Sequence, residues 1–144
     1  MDYSKTHPLA LESAYAYTAK DGTCQDSTIE GVVGVSSVNK VWKYFSWPLL
    51  SALEKGPVSV TVRADQPAFR GFTSGVVNAD CGSQLNHAIT AVGYKVLENG
   101  KIALIVRNSW GPDWGDAGHI YIQTESFGMG VCGIQQVSVY PTTN

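Results

Sequence analysis

Two apolar runs joined by Asn99-Gly100 constrain this chain more than any other feature. Ala88 to Val96 and Lys101 to Arg107 are each long enough for a strand. Asparagine and glycine both tolerate positive φ, which a tight hairpin turn needs. The second run is almost entirely apolar and predicts a central strand. A two-residue loop at Asn99-Gly100 would set Asn108 opposite Ala91, about 13 Å along the strand from His87 at about 3.3 Å per residue. Direct contact between His87 and Asn108 therefore requires an asymmetric loop or a bulge in the first strand.

The remaining pattern is that of a short helix followed by strands. Ser46 to Gly56 has helix start and stop signals: Ser46 as a cap, Pro48 in the first turn, Lys55 near the negative end and Gly56 as a left-handed stop. Leu49, Leu50 and Leu53 share one face. Pro57 to Val62 alternates apolar and polar residues, as a half-buried strand does. His119 to Gln123 and Gln136 to Tyr140 read as further strands, and Val32, Val33 and Val35 as an extended run. Residues 1–31 carry turn signals at His7-Pro8 and Lys20-Asp21-Gly22 and read as an irregular arm. The expected class is α+β with an antiparallel sheet.

Composition narrows the function. The 144 residues are 44% hydrophobic and 15% charged, which suits one globular domain. The net charge is −2, and no basic cluster points to nucleic acid or an anionic membrane. No run is long enough to span a bilayer, and the N-terminus lacks signal-peptide shape. His7, His87 and His119 are far apart and there is no Cys-x-x-Cys spacing, so no metal site is expected. No phosphate loop or dinucleotide fingerprint occurs, and no cofactor is expected. Three cysteines leave one unpaired in an oxidising compartment, whereas all three stay reduced in the cytosol.

Taken singly, His87 among apolar residues suits a hydrogen-bonded core histidine, and Asn108 suits a strand end. Their surroundings say more. His87-Ala88-Ile89-Thr90-Ala91-Val92-Gly93-Tyr94, then Arg107-Asn108-Ser109-Trp110-Gly111, then Trp114-Gly115, Gly118-His119-Ile120-Tyr121-Ile122 and Val131-Cys132-Gly133-Ile134 closely resemble papain-family, cathepsin L-like cysteine peptidases. Ala14 to Ala19 and Gly56 to Val60 do so as well, and the blocks occur in the family's order.

The resemblance implies a papain-like fold. Residues 1–41 would be the last part of the left, helical domain. Residues 42–144 would be the right, β-barrel-like domain that carries the His/Asn pair. His87 would be the imidazole that pairs with a cysteine thiolate and later protonates the leaving amine. Asn108 would orient that ring, Trp110 would cover the contact, and Trp114 would stand on the leaving-group side. Thr61, Leu85, Ala88 and Val137 would line the pocket for the second residue before the cut, with Asn86 at the cleft beside the histidine. Cys81 and Cys132 would form a disulfide, and Cys24 would pair with a cysteine upstream of Met1.

The family's nucleophile motif, of the Cys-Gly-Ser-Cys-Trp type, occurs nowhere in the chain. The same upstream part of the family carries the glutamine of the oxyanion hole and the strip that binds substrate backbone. The chain alone is therefore expected to be inactive. Its expected partner is the family's N-terminal half, or another protein that covers the cleft, with a peptide as substrate once the site is complete. The resemblance implies a lysosomal, vacuolar or secreted environment. The alternative is a non-catalytic, protease-derived structural or interaction module in a larger assembly.

Overall fold

A computed structural model describes residues 1–79 and 81–143. The chain divides into two compact units. One holds Met1–Asn39 with the C-terminal stretch from Pro141, and the other holds Lys40–Tyr140.

In the first unit most of the chain is irregular, as its turn signals predict. A single 3-10 turn spans Asp2–Lys5, and the Tyr3 and His7 rings stack with centroids 4.2 Å apart. The Tyr3 hydroxyl donates to the Asp26 carboxylate. That bond pushes the Tyr3 pKa up to about 12, because ionising the phenol would leave two anions in contact. Leu9 and Val33 form a bridge just before strand β1, Val35–Lys40. Ser36 Oγ donates to the Thr142 carbonyl, which joins β1 to the last residues of the chain. Cys24 is exposed and makes no disulfide among the described residues.

The second unit holds the core. Helix α1, Ser46–Leu53, is followed by β2, Val58–Val62, and by the single turn α2, Pro67–Arg70. Then come β3, His87–Val96, β4, Ile102–Arg107, β5, His119–Gln123, and β6, Ser138–Thr143. The sheet order is β1-β6-β2-β3-β4-β5, and β2 to β6 are joined by antiparallel pairs. The α+β reading and the antiparallel sheet both hold. Strand β2 shows why: Val58, Val60 and Val62 are fully buried while Ser59 and Thr61 are only partly so. Each such valine stabilises the fold by roughly 1.5–3 kcal/mol. Leu49, Phe69, Leu104, Val106, Ile120, Ile122 and Ile134 complete the centre of the core.

Two local expectations are corrected. Ser46 does not cap α1. The cap position belongs to Phe45, extended at φ −131° and ψ 142°, with no side-chain capping bond. Phe45 bridges to Phe127, and their rings meet edge-on at 5.2 Å, so this distant contact holds the chain extended through Phe45. The hairpin loop also differs. The Leu97 N–H donates to the Lys101 carbonyl, and the Gly100 N–H to the Leu97 carbonyl. The loop therefore has three residues, with Gly100 left-handed at φ +76°, the usual form of a hairpin closed by a glycine bulge.

Cys81 and Cys132 form a disulfide across 51 positions. Cys132 lies in the left-handed region at φ 55°, and its carbonyl accepts the Arg63 N–H at 2.8 Å. The Cys81→Ala/Cys132→Ala double variant is expected to lose about 2–4 kcal/mol of stability, read as a lower urea midpoint with a higher m-value, because the unfolded chain loses its cross-link and becomes less compact.

Candidate active site

The site is built where β3 begins and β4 ends. Val96 pairs with Ile102 and Gly93 with Ile105, but Ala91 pairs with Val106 and Thr90 with Arg107. Val92 is thus an extra residue in β3, a bulge that leaves its side chain 42% exposed. The three-residue loop and the bulge each move Asn108 one position toward the start of β3. Together they bring Asn108 level with Ile89, and the side chains span the two positions that remain to His87. His87 Nε2 lies 2.9 Å from Asn108 Oδ1.

The direction of this bond follows from a second donor. The Ser109 backbone N–H also donates to Asn108 Oδ1, at 2.8 Å. Two donors converging on one atom identify it as the amide oxygen, so His87 donates from Nε2 and keeps Nδ1 as the acceptor nitrogen. Asn108 is buried and His87 is half-buried. The Asn108 N–H donates to the Gly118 carbonyl at 2.9 Å, which fixes the asparagine backbone. Asn108 Nδ2 is buried without a hydrogen-bond partner among the described residues.

Trp110 lies over this contact. Its ring stacks on His87 with centroids 5.1 Å apart and planes 30° apart. Trp114 meets Trp110 edge-on at 5.1 Å, and its Nε1 donates to the Arg70 carbonyl at 3.0 Å. Gly115 makes the turn behind it at φ +61°. A methyl group there would come within 2.4 Å of the His119 carbonyl, so the position excludes larger residues.

Sequence reasoning missed Phe69, the residue at the centre of this cluster. It is fully buried. Its ring meets His87 at 6.2 Å and Trp110 at 5.6 Å, both edge-on, and stacks on Trp114 at 5.5 Å. The one available signal was a proline opening a short turn in Gln66-Pro67-Ala68-Phe69.

The structure brings most of the expected pocket residues together. Thr61 faces Ala88 across β2 and β3. Thr61 also donates through both N–H and Oγ1 to the Val137 carbonyl. Leu85 lies near Gly133, and the adjoining loop is tied down by Gln136 Nε2 donating to the Ser83 carbonyl at 2.8 Å. Val137 is 49% exposed. Asn86 is engaged elsewhere, since its Oδ1 accepts the Ala64 N–H at 2.8 Å. Beside it the Asp65 carboxyl is held below the usual carboxylate range, first by the Arg63 guanidinium at 2.8 Å and then by the Gln66 amide. Among the described residues no cluster of histidine, cysteine and carboxylate side chains could hold a metal ion.

The family model described as papain family cysteine protease matches residues 1–142. This chain belongs to the papain family. Vignain of Vigna mungo is 38% identical over 138 residues, which cover 94% of this chain and 38% of vignain. Caricain of Carica papaya is 38% identical over 146 residues, covering 100% of this chain and 42% of caricain. The chain thus spans about two fifths of the length of these curated relatives. The bromelain protease of Ananas comosus, solved in complex with an inhibitor, superposes with a TM-score of 0.91 at 36% identity, covering 99% of this chain and 67% of that one. The papain-like fold expected from the motifs is therefore the fold of this family member.

In this papain-family chain the Phe69→Leu variant is expected to cost about 1–3 kcal/mol. It should also shift tryptophan emission to the red, because Trp110 and Trp114 lose the surface they pack on. Emission that stays unchanged while stability falls would show that Phe69 supports the core but not the tryptophan pair.

Proposed function

We propose that this chain supplies the histidine–asparagine half of a papain-like cysteine endopeptidase site, and that a cysteine outside the chain supplies the nucleophile. The observation that carries the proposal is the 2.9 Å bond from His87 Nε2 to Asn108 Oδ1. It keeps the proton on Nε2 and leaves Nδ1 to take the thiol proton. In the proposed reaction the thiolate attacks the scissile carbonyl, and the His87 imidazolium then gives its Nδ1 proton to the leaving amine. Water, deprotonated by His87, releases the acyl group. An amide partner suits this cycle, since it orients the ring without adding negative charge beside the thiolate.

By resemblance the oxyanion donors lie in the part of the family's domain outside this chain, and the chain alone is proposed to be inactive. The family's N-terminal half is the proposed partner. Asn108 Nδ2, buried without an acceptor, supports a site that another segment completes, because such a donor costs about 1–3 kcal/mol until it is paired. Residence in a lysosomal, vacuolar or secretory compartment is proposed from kinship, and the Cys81–Cys132 disulfide supports an oxidising one.

Thr61, Leu85, Ala88 and Val137 are proposed to form the pocket for the second residue before the cut. With no carboxylate among them, the pocket should prefer an apolar side chain to arginine.

The test is complementation. Mixed with a papain-family N-terminal half, the chain should hydrolyse a fluorogenic peptide, and His87→Ala should lower the rate by about 10²–10⁴-fold. Activity of the chain alone, or a His87→Ala mixture as active as the parent, would refute the assignment. In the active mixture Val137→Glu should raise kcat/KM for arginine at that pocket relative to leucine. An unchanged ratio would remove Val137 from the pocket.

A further inference from the structure

A second recess, of about 210 Å³, lies in the unit Lys40–Tyr140, around the first turn of α1 and the loop that leads into it. Two tryptophans line it. Trp42 is 70% exposed and Trp47 is 62% exposed. The core does not use them, since α1 packs inward through Leu49 and Ala52. Large aromatic side chains dominate burial wherever they are packed, so two left open around one recess point to an external partner.

The charges there have one sign. Lys40 and Lys55 also line the recess. Lys55 Nζ sits 5.6 Å from the Tyr140 ring centroid and donates to the Tyr140 hydroxyl at 3.4 Å. Neither lysine has an ion-pair partner among the described residues. The neighbouring acid, Glu54, accepts from the Tyr94 hydroxyl at 2.6 Å. This positive recess sits on a chain whose net charge is −2.

We propose that this recess binds a hexuronate residue of an acidic polysaccharide. The apolar C–H face of a pyranose ring packs on an indole, and a ring carboxylate pairs with a lysine ammonium. The Ser51 side chain at the same recess and the Tyr140 hydroxyl can exchange hydrogen bonds with ring hydroxyls. The site is concave and single-ring in scale. The site involves none of the residues of the proposed catalytic pair and does not depend on it.

The test is a titration of the full chain with a galacturonate hexamer, followed by tryptophan fluorescence and calorimetry. Binding should weaken with salt, and the methyl-esterified hexamer should bind at least about tenfold more weakly. Trp47→Ala, Trp42→Ala and the Lys40→Ala/Lys55→Ala double variant should each weaken binding by about tenfold or more with thermal unfolding unchanged. Absence of binding overturns the proposal, as does equal binding of the ester or binding that survives these variants. A glutamate hexapeptide, or vesicles containing phosphatidylserine, binding as tightly through the same residues would also overturn it and reassign the recess to acidic peptides or membranes.

Discussion

The register of the β3–β4 hairpin is the constraint on which the site depends. Side chains alternate faces along a strand, so a slip of one residue would turn Asn108 away from His87. The register is set at two places. The three-residue loop ending at left-handed Gly100 fixes the pairing of Val96 with Ile102, and the bulge at Val92 shifts it once more, to Ala91 with Val106. Flanking strands then lock the result. Ile89 and Ala91 pair with Val60 and Val58 of β2, and Leu104 and Val106 with Ile122 and Ile120 of β5. All of these residues are less than one tenth exposed. A slipped hairpin would have to expose that apolar set, which makes the His87–Asn108 contact a consequence of core packing.

Around this contact the chain builds aromatic walls. Phe69, Trp110 and Trp114 touch one another, and two of them touch the imidazole. Low-dielectric surroundings strengthen a hydrogen bond and raise the cost of leaving it unmade. The Trp114 ring is pinned by its bond to the Arg70 carbonyl, at the end of the turn that carries Phe69. The short turn α2 therefore positions the imidazole from beneath while Trp110 covers it. On the other side, Asn86 is held to Ala64, and the loop before it is anchored at Ser83 and by the Cys81 disulfide.

Much of this was legible in the sequence, because the signals were local. Alternation in Val58 to Val62 and the apolar runs flanking Asn99-Gly100 gave strands with bounds within a few residues of those observed. The family motifs placed His87, Asn108, Trp110 and Trp114 in one neighbourhood, and the structure puts them in contact. What was not legible depends on distant contacts. The extra residue at Val92 is an ordinary valine, and only the packing of β2 and β4 on either side reveals the bulge. Ser46 carries a capping side chain, yet Phe127 holds Phe45 extended and takes the cap position from it. Phe69 sits in a single helical turn, too short to show any period, so its place beneath His87 had no pattern to announce it.

The central claim is that His87 is held in one tautomer, with the proton on Nε2 donated to Asn108 and Nδ1 left as the acceptor. Nitrogen-15 NMR of the imidazole ring in the isolated chain, above the pH at which the histidine becomes neutral, tests it most directly. The account predicts a protonated Nε2 with slow proton exchange, an unprotonated Nδ1, and loss of the slow exchange in Asn108→Ala. A ring protonated on Nδ1, or one that averages rapidly between the two forms in the parent chain, would contradict it.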